Sequence, residues 1–166
     1  MAAVNENITI PMVANGVFLT DVNGMPYTIY NNNVTTFVPI ISGSVTSPTS
    51  ITYATQAGFY IKIGNLVFYS INILLSAVTL GPASGALLIS SLPTSLNTAN
   101  LIWPGSVSIN NVTTTASVIS LCSYMTPNAN YIVIVESFDT NPAANLSITS
   151  LNATSGFNIS GFYLAA

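Results

Sequence analysis

Charge is almost absent from this sequence. Its 166 residues include one Lys or Arg, four Asp or Glu and no His, namely Lys62, Glu6, Asp21, Glu136 and Asp139. Only 3% of the residues are charged, against about 25% in an ordinary soluble domain. Nucleic-acid binding requires Lys and Arg to neutralise phosphates, which one lysine cannot do. The same lack excludes a basic patch for a membrane surface.

Catalytic side chains are equally scarce. Without His, a Ser-His-Asp triad cannot form, and general acid–base chemistry is left with four carboxylates and one lysine. Glu136 and Asp139 form the only close carboxylate pair, directly after the apolar run 131–135. Such a pair could serve a glycosidase or hold a Ca²⁺ ion. We expect instead a solvated loop in which Asp139 caps a turn, and hence no enzyme and no cofactor.

Cysteine and membrane-spanning segments are also lacking. Cys122 is the only cysteine, so the chain can form no internal disulfide, and we expect a buried, inert thiol within the apolar run 117–125. The longest apolar stretch, 66–80, is shorter than the ~20 residues of a spanning helix and contains several polar residues. Its β-branched and aromatic side chains favour a buried strand. We therefore expect no membrane insertion and no cleaved signal peptide.

Apolar and neutral polar residues make up what is present. Half of the chain is hydrophobic, and much of the remainder is Asn, Ser and Thr. This hydrophobicity predicts a folded chain, since disorder needs low hydrophobicity and high net charge. A neutral, apolar-rich surface favours association, because charge normally keeps monomers apart. We therefore expect a homo-oligomer whose subunits bury much of that surface.

Short strands separated by turn residues run along the whole sequence. Asn23-Gly24 lies between apolar runs 17–22 and 25–30, and Gly64-Asn65 lies between runs 59–63 and 66–75, so each predicts a hairpin. Further strands are predicted at 86–90, 106–110, 116–124, 131–135, 146–150 and 157–164. No segment shows the spacing of an amphipathic helix. The pattern predicts an all-β, jelly-roll-like antiparallel β-sandwich.

Composition divides the chain into three parts. Residues 1–41 read as an extended or hairpin arm, residues 42–50 as a linker rich in Ser, Gly and Pro, and residues 51–166 as the β-sandwich head. The apolar residues of the arm are the candidates for oligomer contacts or for an anchor: Ile8, Ile10, Val17 and Phe18.

A motif in the first hairpin of the head resembles a known family. Its residues, in the pattern Y-x-x-Q-x-G-x-Y-x-K-I-G-N-x-V, are Tyr53, Gln56, Gly58, Tyr60, Lys62, Ile63, Gly64, Asn65 and Val67. The pattern is similar to a module of bacteriophage tail fibres and other virion surface proteins. The Gly-containing stretch 84–89, Leu92-Pro93 and the final run 159–164 extend the similarity, which covers roughly residues 50–166.

The resemblance implies a trimeric jelly-roll head displayed on a virus particle, often in contact with host glycans, and supplies no catalytic residues. The chain is short and lacks a coiled-coil or β-helical shaft. It therefore fits a head fibre or capsid decoration protein better than a typical tail fibre. The arm would then bind the major capsid or tail protein. The location implied is the virion surface, reached by lysis of the host cell.

Two alternatives remain open from the sequence. A lectin-like head would bind host surface polysaccharide through aromatic faces, and Trp103, in a predicted loop at 101–105, and Tyr124 are the candidates. Packing of Trp103 in the core or between subunits competes with that role. A non-viral extracellular filament or adhesin subunit shares the same composition, and donation of an arm strand to the next copy would build its filaments.

Overall fold

The computed structural model describes residues 12–13, 16–20, 26–30, 34–63, 65–93, 103–125 and 129–165, without the side chains of the first three ranges or of Trp103. The chain forms two compact units, Met1–Asn33 and Val34–Ala166. Residues 34–50 belong to the larger unit, and the division into arm, linker and head stays a prediction. Within the described residues, no helix has the length and apolar character needed to cross a bilayer.

The first unit contains a small antiparallel sheet. Its strands are β1 (Met12–Val13), β2 (Gly16–Thr20) and β3 (Pro26–Tyr30), in the order β1-β2-β3. The pairing of β2 with β3 confirms the hairpin predicted around Asn23-Gly24. The turn itself lies outside the described residues.

The larger unit is built on one ten-stranded antiparallel sheet. Its strands, in chain order, are β4 (Thr35–Phe37), β5 (Ile40–Gly43), β6 (Ser50–Ile63), β7 (Leu66–Thr79), β8 (Leu87–Ser90), β9 (Trp103–Asn110), β10 (Val118–Met125), β11 (Ile132–Phe138), β12 (Ala144–Asn145) and β13 (Gly156–Leu164). They are arranged as β4-β6-β7-β13-β9-β10-β11-β8-β5, with β12 paired to β11. The predicted all-β fold is confirmed.

The ends of this sheet meet across a short connection. β4 and β5 occupy opposite ends of the strand order, yet only Val38 and Pro39 separate them in the chain. The sheet must therefore curl until its two ends are adjacent. The curl encloses one core, to which β5, β7, β8, β11 and β13 all contribute buried residues.

The long hairpin β6–β7 shows why these residues form strands. Ile63 pairs with Leu66, so the predicted two-residue connection is confirmed. Along β7 the buried residues alternate with exposed ones, as a strand covered on one face requires; those buried are Val67, Tyr69, Ile71, Ile73 and Leu75. Burial of each such side chain contributes about 1.5–3 kcal/mol, so this strand anchors the core.

Two residues of the sequence motif in β6 bind the short segment that connects the two ends of the sheet. Tyr53 Oη accepts a hydrogen bond from the Ile41 backbone N at 3.1 Å, and Gln56 Nε2 donates one to the Pro39 carbonyl at 2.8 Å. Burial raises the pKa of Tyr53, and the Ile41 N–H partly opposes that rise. The motif therefore has a structural function at the meeting point of the two sheet ends.

Gly58 of the same motif leaves room for an aromatic ring. A Cβ at Gly58 would lie 2.6 Å from the ring of Phe37 in β4, closer than such contacts occur. The Phe37 ring also meets Tyr60 edge-on, with centroids 6.3 Å apart and an interplanar angle of 62°. Glycine at this position therefore lets β4 pack flat against β6.

Other predicted strands are confirmed with small shifts, but the segment 146–150 is not a strand. Residues Ile148–Ser150 form a single 3-10 turn, in which Ser147 Oγ accepts a hydrogen bond from the Thr149 N. A nearby hydroxyl thus offers the backbone a local partner in place of a neighbouring strand. Leu146 and Ile148 are nevertheless fully buried, and the Leu146 backbone bonds to Ile134 of β11 and Leu87 of β8 without forming a strand.

The prediction of a buried Cys122 is wrong, because the thiol is exposed. Its neighbours Ser123 and Met125 in β10 are buried. Alternation along a strand sends the side chain before Ser123 to the opposite face. An apolar run therefore identified the strand but not which of its faces meets the core.

Candidate functional site

A solvent-facing surface with a regular chemistry is formed by the outer side of β6, β7, β13 and β9, called here the outer sheet face. Register places its side chains in cross-strand rows that run from one strand to the next. Three rows define it: Ile61, Phe68 and Phe162; Phe59, Ser70, Ser160 and Ser106; and Asn72, Asn158 and Ser108. All of these residues are exposed except Ile61, which is half-buried.

The end of this face nearest the β6–β7 turn is apolar. Phe59, Phe68 and Phe162 expose 44%, 43% and 42% of their surface, and Ile63 exposes 50%. The rings of Phe68 and Phe162 lie with centroids 6.1 Å apart at a tilt of 45°. A shallow groove of about 300 Å³ is lined by Phe59 and Phe68, together with Val34 and Ile61. Isolated exposed apolar residues are common, but a contiguous set marks an interaction surface.

The middle of the face carries hydroxyl and amide groups. A second shallow depression of about 280 Å³ is lined by the side chains of Ser70, Ser106, Ser108, Asn158 and Ser160, together with strand backbone. Ser106 Oγ and Ser160 Oγ lie 2.8 Å apart and share a hydrogen bond across the β9–β13 pair. This part of the face therefore satisfies some of its own polar groups.

No charged side chain belongs to these rows. In the part of the chain that the structure describes, the charged residues are Lys62, Glu136 and Asp139. Lys62 is exposed at the end of β6, but strand alternation turns it to the side opposite Ile61 and Ile63. The outer sheet face is thus neutral as well as partly apolar.

The two residues predicted to bind glycan lie on the paired strands β9 and β10, and their role stays a prediction. Trp103 begins β9 rather than lying in a loop, and pairs with Met125, while Pro104 pairs with Tyr124. Pro104 is tolerated because β9 there pairs with β10 alone, its pairing with β13 starting at Gly105. Tyr124 is half-buried and its Oη donates to Asn145 Oδ1 at 3.4 Å.

The two carboxylates predicted as a close pair differ in burial. Glu136 lies inside β11, where it pairs with Leu121, rather than in a loop after the strand. It is 3% exposed, and its two oxygens accept hydrogen bonds from the Thr115 N at 2.8 Å and from Thr115 Oγ1 at 2.7 Å. Asp139 is exposed. Among the described residues, no three His, Cys, Asp or Glu side chains cluster as metal ligands would.

The anchor candidates fall in the first unit. Ile8 and Ile10 lie outside the described residues. Val17 and Phe18 are consecutive in β2 and pair with Ile29 and Thr28 of β3. Their role as oligomer contacts or as an anchor stays a prediction.

The sequence indicates which residues share a side of β6 and which share a side of β7. It does not indicate that these two sets lie on the same face of the sheet. Alternation predicts that Phe59, Ile61 and Ile63 share one side of β6, and that Phe68 lies on the mixed side of β7. What was missing is the register, which pairs Ile61 with Phe68 and so places both sets on the same face.

Comparison with known proteins gives one informative likeness. The structure is similar to the crystal structure of the Dettilon tailspike protein, with a TM-score of 0.63 and 22% sequence identity over 81% of this chain. The match spans 24% of the tailspike chain, so this chain corresponds to about a quarter of that protein. No protein-family model matches the sequence, and no curated protein matches it. The likeness shows a shared fold.

Proposed function

We propose that this chain is a non-enzymatic structural subunit of a bacteriophage virion, displayed on the particle surface as a homotrimeric head-fibre, capsid-decoration or short tail-fibre protein. The observation that carries the proposal is the tailspike-like fold, which extends over 81% of the chain. Two sequence features support it: the near absence of charge, which favours association, and the motif around Tyr53 to Val67.

A non-enzymatic role is supported by how the few candidate groups are used. The chain has no His, and the buried Glu136 carboxylate already holds Thr115 through both oxygens. Asp139, its nearest carboxylate in sequence, lies on the surface. The two carboxylates among the described residues are therefore committed to structure or exposed to solvent.

The particle-bound partner would be the major capsid or tail protein, bound through the N-terminal arm. The separation of Met1–Asn33 from the rest of the chain supports a distinct task for that unit. Immunogold electron microscopy of purified particles, with antibody raised against this chain, tests the proposal directly. Label on the capsid or on the tail identifies the attachment point, whereas particles without label would contradict a virion role.

Recognition of host polysaccharide is a second candidate function. The observation that favours it is the neutral depression lined by serine hydroxyls and an asparagine amide, groups that can bond to sugar hydroxyls. Trp103 and Tyr124 remain the aromatic candidates. Saturable binding of the protein to host polysaccharide, weakened by Trp103→Ala or Tyr124→Ala, would support this function. Unchanged binding in both variants would remove those two residues from it.

A further inference from the structure

We propose that the outer sheet face is the surface through which copies of this chain bind one another. The inference rests on the self-assembly included in the proposed function and assigns it to a specific surface. That surface comprises the three cross-strand rows on β6, β7, β13 and β9, together with Ile63 at the apolar end.

The apolar end of the face offers a contiguous apolar patch to another copy. Phe59, Phe68 and Phe162 each leave more than two fifths of their surface in water. With side chains of roughly 150–250 Å² each, the three rings alone expose on the order of 250 Å² of apolar surface. Ile63 is half exposed and extends the patch. The largest apolar patch on a typical monomer is about 300–600 Å² and is often functional.

The polar rows next to this patch are suited to burial at its rim. Interfaces combine an apolar core with a polar rim, and a buried hydroxyl without a hydrogen-bond partner is costly. Ser106 and Ser160 already bond to each other at 2.8 Å. Another copy that buries them therefore leaves fewer donors and acceptors without a hydrogen-bond partner. This internal pairing favours a protein cover over a ligand that would need those hydroxyls free.

The face is also complementary to itself. It carries no charge, so two copies meet without like-charge repulsion, whereas a strongly charged partner would gain nothing there. Asn72, Asn158 and Ser108 each provide both donor and acceptor groups, so such a row can bond to polar groups of another copy. Only a two-fold axis pairs identical patches, so in the proposed trimer each contact joins two different parts of this face around the three-fold axis.

Thiol accessibility in the intact protein tests the assignment. In the full chain with Cys122→Ser, Ser70→Cys places a near-isosteric thiol in the middle row, and Thr114→Cys places a control thiol in the exposed loop between β9 and β10. We expect the thiol at position 70 to react with a maleimide at least about tenfold more slowly than the control, and equally fast in denaturant, because burial requires opening first.

Rapid labelling at position 70 would overturn the assignment. If the labelling is rapid but host polysaccharide slows it, the face binds glycan instead. If polysaccharide has no effect, the face is free surface. Both outcomes leave the virion role to be judged by particle labelling, so failure of this inference and failure of the proposed function are distinguishable.

Light scattering of substituted proteins gives an independent measurement. The double variant Phe68→Ser and Phe162→Ser should lower the mass from oligomer to monomer at equal concentration. The matched control is Val45→Ser with Ile119→Ser, which removes side chains that are 77% and 66% exposed outside this face. It should leave the mass unchanged.

Circular dichroism establishes whether each variant retains its β-structure. An oligomeric, folded double variant would overturn the assignment, while an unfolded one leaves the decision to the thiol labelling. A wild-type protein that is monomeric at all concentrations would refute self-assembly itself, and with it this surface.

Discussion

Tyr69 of β7 lies flat over Gly161 of β13, its register partner, so that a Cβ at Gly161 would come within 2.6 Å of the Tyr69 hydroxyl. The row continues to Gly105 of β9, where a Cβ would come within 2.9 Å of the same hydroxyl. Two glycines therefore form the recess in the sheet that this ring occupies. The ring of Tyr163 packs beside it, with centroids 6.0 Å apart.

Gly161→Ala should destabilise the protein. The added methyl would force Tyr69 out of its recess, and overpacking of this kind costs about 1–3 kcal/mol. The matched control is Gly156→Ala in the same strand, where the nearest atom to a new Cβ would lie at an ordinary 3.5 Å. Chemical denaturation of both variants measures the difference. Equal free energies of unfolding would contradict this account of the recess.

Stability should fall at alkaline pH because of Tyr69. Burial, with nearby Tyr163 adding to it, raises the pKa of Tyr69 from 10.0 to about 12. The unfolded chain then loses this proton at lower pH than the folded chain does. The contribution of the protonated Tyr69 hydroxyl to the free energy of unfolding is fully present below pH 10. It is lost as the pH rises toward 12, at about 1.4 kcal/mol per pH unit for this one proton.

Tyr69→Phe removes that ionisable group, so its free energy of unfolding should decline less steeply between pH 10 and 12 than that of the wild type. Denaturant titrations at several pH values measure both slopes. Identical slopes would show that Tyr69 does not ionise differently in the two states.

Tyr53→Phe should weaken the closure of the sheet. The substitution removes the hydroxyl that accepts a hydrogen bond from the Ile41 N–H. This partly buried N–H then lacks an acceptor, which costs about 1–3 kcal/mol. Ser76→Ala is a suitable control. It removes an exposed 3.3 Å hydrogen bond to the Thr52 carbonyl in the same strand pair and should change stability by less than about 0.5 kcal/mol. A melting temperature lowered equally by both would argue against a special role for the closing segment.

Glu136→Ala should loosen the loop between β9 and β10. The buried carboxylate bonds to both the backbone and the hydroxyl of Thr115, and losing these two hydrogen bonds costs about 1–3 kcal/mol. Glu136→Gln keeps an oxygen that can accept from the Thr115 N and an amide that can donate to the Thr115 hydroxyl. Its loss of stability should therefore be smaller. Limited proteolysis in the loop reports the difference. If the Gln variant is cleaved as readily as the Ala variant, the carboxylate does not act through these bonds.

Much of this fold could be predicted from the sequence because the information was local. A period of two along 67–75 identified the buried and exposed sides of β7, and the two residues between 63 and 66 specified the hairpin. The apolar run 131–135 was correctly predicted as a strand, and its consecutive buried residues from Ile132 to Val135 show that both faces of that strand are covered. The lack of charge, a property of composition, pointed to association before any strand was located.

Other features were decided only by the tertiary structure, because they depend on which distant strands become neighbours. Glu136 was read as a loop residue because the apolar run ends before it, yet the continued pairing of β11 with β10 keeps it in the sheet and buries it. Cys122 was read as buried, but the side of β10 facing the core depends on a register set by other strands. The outer sheet face arises in the same way. Its rows join residues almost a hundred positions apart, such as Phe68 and Phe162, and alternation within one strand contains no information about which strand will lie beside it.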